Sequence, residues 1–143
     1  MIHVRENQLD EAFTVSKQIP EFENPYQFDE YQKRLNVKHL ILTAEIQEKP
    51  VGFKIGYERD NDSSFYSWMG GVLPKFRKQG VAEKLADYQE KWASENGYNS
   101  IKLKTRKKHE AMIVFSSKRG FVITKEISKI PEAETRICME KKL

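Results

Sequence analysis

The spacing of hydrophobic residues predicts strands at both ends of the chain and in its middle. Ile2 and Val4 alternate with polar neighbours, which is typical of a strand that buries one face. The runs 39–46, 51–57 and 63–73 are rich in β-branched and aromatic residues and are separated by short polar turns. They predict three consecutive antiparallel strands. Further strands are predicted over 101–105, 121–127 and 135–141.

Four helices are predicted between these strands. The clearest one carries Val81, Leu85, Tyr88 and Trp92 at helical spacing and is followed by a stop at Gly97. The shorter ones are predicted between an N-cap at Asn7 and Pro20, after Pro25, and before Gly120. The order β-α-α-β-β-β-α-β-α-β-β predicts a single α/β (α+β) domain over residues 1–143, built in three layers.

Composition narrows the class of protein. Hydrophobic residues make up 38% of the 143 residues, which is enough for a core, and 25 basic residues nearly balance 21 acidic ones. Apolar runs fall short of the roughly 20 residues that span a bilayer, and the start of the chain lacks a signal-peptide core. Cys138 is the single cysteine and the histidines are scattered, so neither a disulfide nor a metal site is expected. We expect a soluble cytoplasmic protein without a membrane partner.

Basic residues concentrate between positions 75 and 108. This segment holds ten basic and four acidic residues, so it carries +6 while the rest of the chain carries −2. Such a segment indicates one anionic ligand site, although a solvated charged face is the more common explanation. A nucleic-acid-binding surface is a further hypothesis, but the segment shows no aromatic stacking platform, so nucleic acid is not the favoured partner.

A strand, a basic loop and the clearest helix follow one another in Val72-Leu73-Pro74-Lys75-Phe76-Arg77-Lys78-Gln79-Gly80-Val81-Ala82. Helix N-termini bind phosphates through unpaired N–H groups and partial positive charge. Glycine at position 80 would let a phosphate approach the backbone, and Arg77 and Lys78 would add mobile positive charge. An ordinary strand-to-helix turn explains this spacing equally well.

Two segments resemble the GCN5-related N-acetyltransferase (GNAT) family. The run Arg77-Lys78-Gln79-Gly80-Val81-Ala82 is similar to the family's Arg/Gln-x-x-Gly-x-Gly/Ala signature. The run Phe115-Ser116-Ser117-Lys118-Arg119-Gly120-Phe121 is similar to its Leu-Tyr-x-Lys-x-Gly-Phe segment. The predicted element order agrees over nearly the whole chain. The resemblance implies a mixed central sheet of about seven strands with four helices packed on both faces.

The resemblance also implies acetyl-CoA as the acyl donor. The pyrophosphate would lie on the backbone N–H groups of Gln79, Gly80, Val81 and Ala82, near Arg77 and Lys78. Pantetheine would pair with the backbone around Val72, whose N–H would stabilise the thioester oxygen. The gap for it would open after Gly70-Gly71, a pair that itself predicts a bulge. His109 stands where many members carry Asn and is expected to contact the cofactor.

Proton transfer is where the chain departs from the family. Ser116 stands where many members carry the tyrosine that protonates the leaving thiolate, and serine is a poor acid. Ser116→Tyr is therefore expected to raise turnover. Tyr66 is a candidate replacement donor, although a sheet aromatic is its simpler interpretation. His109 is also a chemically suitable base. An acidic rim favouring a cationic acceptor is predicted from Glu21, Glu23, Asp29 and Glu30.

The sequence favours an N-acetyltransferase that moves an acetyl group from acetyl-CoA to a primary amine of a small molecule or peptide. The amine would attack directly in a ternary complex. The alternative is an acyl-CoA-binding regulatory module with little catalysis, which the serine at position 116 supports. The oligomeric state is open, with a homodimer as one candidate.

Overall fold

The computed structural model describes residues 1–22 and 26–143. Within these residues the strands are β1 (Ile2–Glu6), β2 (His39–Ile46), β3 (Lys49–Tyr57), β4 (Ser64–Val72), β5 (Ser100–Arg106), β6 (Val122–Ile127) and β7 (Arg136–Lys142). The helices are α1 (Leu9–Ser16), α2 (Phe28–Arg34), α3 (Val81–Glu95) and α4 (Glu110–Lys118). This order confirms the predicted order of elements.

The strands form one mixed sheet in the order β1-β2-β3-β4-β5-β7-β6. Strands β4 and β5 are parallel, and the other neighbours are antiparallel. Helix α3 makes the crossover that parallel neighbours require. The seven-stranded mixed sheet and the four helices confirm the predicted fold class. None of the helices in the described ranges is both long enough and apolar enough to cross a membrane.

Two hydrophobic cores cover the two faces of the sheet. On one face α1 and α2 pack around Tyr31, Phe53 and Ile55. On the other face α3 packs through Val81 and Leu85 against residues of the central strands. The helical stripe predicted for α3 is therefore its core-facing side, and this packing fixes where its N-terminus lies.

Asn7 does not cap α1. The N-cap residue is Gln8, whose backbone N–H donates to Asn7 Oδ1 at 2.8 Å. Asn7 Nδ2 instead donates to Thr43 Oγ1 at 2.9 Å, which links the end of β1 to β2. The predicted cap is wrong because this side chain bonds across the sheet.

Strands β4 and β5 pair over only part of their lengths. Their register ends at Ser67 opposite Leu103, after which β4 stays with β3 and β5 stays with β7. The gap therefore opens after Ser67, earlier than the predicted position at Gly70-Gly71. The irregularity in the β3–β4 register also lies earlier, at Trp68. Gly71 serves packing instead, since a Cβ there would lie 2.7 Å from Ile19 Cδ1.

Candidate functional site

One edge of the gap between β4 and β5 presents backbone polar groups. The N–H of Leu73 donates to the carbonyl of Val51 at 2.8 Å, so Gly52 and Val72 form a pair without mutual hydrogen bonds. The N–H and C=O of Val72 consequently point away from β3 and into the gap. The same alternation turns those of Gly70 into the gap. An extended ligand can pair with this edge as another strand would.

Arg77 fixes one of these groups. Its Nε donates to the carbonyl of Val72 at 3.0 Å, and its terminal nitrogens donate to the two carboxylate oxygens of Glu21 at 2.8 Å each. These hydrogen bonds are the main cause that lowers the pKa of Glu21. Because Arg77 occupies the carbonyl of Val72, the N–H is the polar backbone group of this residue that stays available to a ligand in the gap. Arg77 is therefore engaged with Glu21 and Val72 in this structure, and its contribution of positive charge to an anion site stays a prediction.

The loop after β4 leads to the start of α3, whose first N–H groups have no acceptor among the described residues. Gly80 is the N-cap of α3 with φ +89°, and no side chain in the described ranges caps this helix. The helical ladder begins with Lys84 N–H donating to Gly80 C=O at 3.1 Å. The N–H groups of residues 81–83 precede that bond and have no acceptor within the helix. Together with the helix dipole they favour an anion here.

The side chains of the predicted loop residues have other roles. Gln79 folds back and donates through Nε2 to the carbonyl of Lys75 at 3.2 Å. Val81 is buried in the core, whereas Ala82 and Lys78 are exposed. Their backbone groups are thus what this loop can offer to an anion, with Lys78 as the exposed cation beside it.

His109 lies across the gap, at the N-cap of α4. Its backbone N–H donates to the carbonyl of Arg106 at 2.9 Å. Burial, followed by the charges of Lys108 and Arg106, lowers the pKa of its imidazole, and Glu21 acts in the opposite direction. His109 is therefore mainly neutral near pH 7, and it lies within electrostatic range of Glu21.

We expect His109→Gln to reduce the loss of stability that acid produces. The folded-state pKa of His109 lies below the unfolded value of about 6.5, so the unfolded state binds the proton more readily. Stability is then lost as the pH falls through that range. The thermal midpoint should fall less in the variant than in the wild type between about pH 7.5 and about pH 5.5. His3→Gln, at an exposed histidine, is the control. If the midpoint of His109→Gln fell as much as that of the wild type, the lowered pKa of His109 would be contradicted.

Ser116 lies at the apex of the gap. It is 2% exposed and lines a cavity of about 10 Å³ together with Ser67 and Leu103, the last paired residues of β4 and β5. This volume is at the lower limit of what holds one water molecule. A phenol ring is larger than this cavity, which argues against the predicted gain of turnover in Ser116→Tyr.

Tyr66 lies on the other face of the sheet. It pairs with Lys102 before the gap opens, and its ring packs edge-on against Tyr57 at 5.6 Å between centroids. The guanidinium of Arg59 covers the ring at 4.0 Å from its centroid, and burial raises the pKa of the phenol. The structure therefore does not bring Tyr66 and Ser116 together, and these contacts support the interpretation of Tyr66 as a sheet aromatic.

Comparison with models of known protein families identifies the family of this chain. The model of the Acetyltransferase (GNAT) family matches residues 5–121. This chain belongs to the GNAT acetyltransferase family. The resemblance that the loop at Gly80 and the segment ending at Phe121 indicated is confirmed. No curated protein matches the sequence.

Solved structures share the GNAT fold at low sequence identity. The ribosomal-protein-S18-alanine N-acetyltransferase from Escherichia coli has a TM-score of 0.84 at 15% identity, over 99% of this chain and 94% of that chain. Ard1 from Thermoplasma volcanium has a TM-score of 0.82 at 20% identity, over 99% and 97%. A Bacillus subtilis acetyltransferase in complex with CoA has a TM-score of 0.78 at 15% identity, over 99% and 97%. At these identities the likeness shows the fold.

The acidic residues near α1 and α2 do not form a free rim in this GNAT domain. Glu21 is paired with Arg77, and Glu30 lies 3.9 Å from Arg34. Asp29 is exposed, and Glu23 lies outside the described residues. Two of the three described carboxylates thus have arginine partners, which weakens the argument for a cationic acceptor.

Sequence reasoning missed an arginine held between two aromatic rings on this side of the sheet. The guanidinium of Arg34 lies 4.8 Å from the ring centroid of Tyr26 and 4.7 Å from that of Trp68. These residues come from α2, from the stretch before it and from β4. Their spacing along the chain gives no signal that they meet.

Much of the basic segment is neutralised by neighbouring carboxylates. Arg106 and Lys108 approach Glu134 at 3.2 and 2.7 Å, and Lys107 approaches Glu132 at 2.5 Å. Exposed pairs of this kind add little stability, but they occupy charges that a phosphate would need. The segment therefore fits a solvated charged face better than a nucleic-acid surface.

Proposed function

We propose that this protein transfers an acetyl group from acetyl-CoA to a primary amine of a small molecule or peptide. Membership of the GNAT family implies acyl transfer from a CoA thioester. One observation supports the acyl-CoA part of this proposal. The same gap offers an N–H donor at Val72 on its edge. After the loop it offers the N–H groups of residues 81–83, which have no acceptor within the described part of the chain.

The residues on both sides of the gap fit such a donor. The pyrophosphate would be held by the N-terminal N–H groups of α3 and the loop at Gln79 and Gly80, with Lys78 adding charge. The pantetheine arm would pair with the outward groups of Gly70, beside Val72, whose N–H stays available for the thioester oxygen. His109 is mainly neutral near pH 7, so toward the donor it would serve as a hydrogen-bonding group and not as a charge.

The reaction would proceed by direct attack in a ternary complex. The free amine attacks the thioester carbonyl, and negative charge develops on the carbonyl oxygen. The N–H of Val72 can donate to that oxygen, and a donor of this kind contributes about 10²–10³ in kcat. Because Arg77 already occupies the carbonyl of Val72, the outward side of this residue presents a donor without a competing acceptor.

The donor site is tested by thermal unfolding. We expect CoA and acetyl-CoA to raise the thermal midpoint, since a ligand that binds only the folded state stabilises it by about 2.7 kcal/mol at one hundred times its dissociation constant. Adenosine should raise it far less, because it lacks the phosphates that the N-terminus of α3 binds. No shift at millimolar CoA would contradict the donor site.

Transfer is tested by release of free thiol from acetyl-CoA across a panel of primary amines. We expect thiol release that depends on the amine and saturates with it. A thermal shift with CoA but no thiol release with any amine would instead support the regulatory module, whose loop and gap would be the same.

A further inference from the structure

A small cavity lies at the apex of the gap, between the sheet and helices α3 and α4. Its lining is mostly apolar and includes several polar side chains. The cavity has a volume of about 10 Å³, room for one water molecule. Its polar lining comes from β3, β4, α3 and α4 and consists of Lys54, Ser67, Gln89, Glu90, Ser116 and Arg119. Because Ser67 is the last residue of β4 paired with β5, the cavity adjoins the point at which the gap ends.

Lys54 reaches this cavity because of its register on β3. It pairs with Gly70 and points to the same face as Gly52, two residues earlier. A Cβ on Gly52 would lie 3.0 Å from Val81 Cγ1 and 3.3 Å from a methyl of Leu85, so glycine lets α3 pack closely on β3. Residues of α3 and α4 partly cover the lysine side chain, which is half-buried. Burial is the main cause that lowers the pKa of Lys54 to about 8.

Gln89 presents a second donor to this region. Its side chain is 2% exposed, and its Nε2 has no hydrogen-bond partner in the described ranges. Glu90 is occupied elsewhere, because its oxygens accept from Arg119 Nε at 3.1 Å and from Lys141 Nζ at 2.7 Å. Buried donors of this kind favour an electron-rich ligand atom or a water molecule as acceptor.

We propose that Lys54 protonates the thiolate leaving group through one water molecule held in this cavity by Gln89 and Ser116. The inference rests on the proposed acetyl transfer. When the amine has added to the thioester carbonyl, its nitrogen gives up one proton to solvent. The oxyanion then re-forms the carbonyl as the C–S bond breaks, and the electron pair of that bond goes to sulfur. The sulfur takes a proton from the water, and the water takes one from Nζ of Lys54. The neutral amine of Lys54 then regains a proton from solvent.

The acidity of Lys54 suits this step. A thiol has a pKa of about 8.5, and proton transfer between groups of similar pKa has little uphill cost. Lys54, at about 8, lies close to it, whereas an ordinary lysine at about 10.4 is a weaker acid by roughly two units. Arg119, the other cation in the lining, does not release its proton. Ser116 then has a role that needs no acidity, since its hydroxyl orients the water.

The test compares Lys54→Met and Lys54→Arg with the wild type. Met keeps most of the side-chain length and removes a half-buried charge, so we expect an unchanged or higher thermal midpoint and the same shift with CoA. We expect kcat for thiol release to fall by about 10²-fold or more, since general acid catalysis contributes about 10²–10⁴-fold. Lys54→Arg keeps the charge but not the transferable proton, so it should lose activity as well. Lys91→Met, at an exposed lysine of α3, is the control expected to keep wild-type turnover.

The pH profile separates proton donation from a structural role. A donor must be protonated, so wild-type kcat should fall as the pH rises through about 8, and Lys54→Met should lack this limb. The charged groups that face Lys54 from the packed helices are Glu90 and Arg119, with Lys141 of β7 bound to Glu90. These groups are present in both the wild type and Lys54→Met, so they cannot explain a difference between the two pH profiles.

The possible outcomes distinguish an error in the role of Lys54 from an error in the proposed acetyl transfer. Unchanged turnover with an unchanged pH limb in Lys54→Met, or restored turnover in Lys54→Arg, would overturn the role of Lys54 and leave acetyl transfer standing. Loss of the CoA-induced thermal shift in Lys54→Met would also overturn it, because the lysine would then bind the donor. Absence of thiol release in the wild type would overturn the proposed function itself.

Discussion

Replacing Gly80 by glutamate is expected to abolish binding of CoA and acetyl-CoA. Gly80 has φ +89° and directly precedes the N–H groups at the start of α3. A glutamate there would place a carboxylate at the positive end of the helix dipole, where it competes with the pyrophosphate for the same donors and repels it. The shift of the thermal midpoint with CoA, and titration calorimetry with CoA, should both show no binding.

Gly97→Glu is the matched control for backbone strain. Gly97 follows the C-terminal end of α3 with φ +86°, and a Cβ there would meet nothing within 4 Å. A left-handed backbone strains a glutamate at either position, by about 1–2 kcal/mol. Both variants should therefore have a lower thermal midpoint, but Gly97→Glu should keep the shift with CoA. Equal losses of binding in the two variants would show that strain, and not the donor site, explains the effect.

Local patterns made most elements predictable. The stripe from Val81 to Trp92 and the stop at Gly97 predicted α3, which spans Val81–Glu95. The pairing order was not predictable in this way, because β7 lies between β5 and β6 through contacts between distant segments. The predicted position of the gap was wrong for a related reason. Gly70-Gly71 carried the local signal, but the irregularity lies at Trp68, where the β3–β4 register shifts.

In the candidate site, too, the features set by local sequence were predictable, and those set by distant contacts were not. The loop around Gly80 was visible because a glycine before a helical stripe is a local feature. The fixed position of Arg77 was not, since its partner Glu21 lies 56 residues away in sequence. Lys54 gave no signal either, because a lysine in a strand usually faces solvent, and only the packing of α3 and α4 shows that this one is covered.

Ser116→Tyr is expected to destabilise the protein and to lower turnover, contrary to the expectation from the sequence. Ser116 is 2% exposed beside a cavity of about 10 Å³, so the phenol ring must displace its neighbours. Overpacking of this kind typically costs about 1–3 kcal/mol. For a chain of this size each kcal/mol lowers the thermal midpoint by about 2–4 °C, which thermal unfolding resolves. The ring would also displace Lys54 and the water that we place between them.

Ser116→Ala separates the loss of the hydroxyl from the effect of bulk. Alanine fits the same space, so the thermal midpoint should stay near the wild-type value, and kcat should fall less than in Lys54→Met because the proton donor remains. A Ser116→Tyr variant with an unchanged midpoint and a higher kcat would show that α4 moves to admit the ring and that a phenol can protonate the thiolate from this position. In that case the apex of the gap is built for an acid on α4, and Lys54 is not needed for the step.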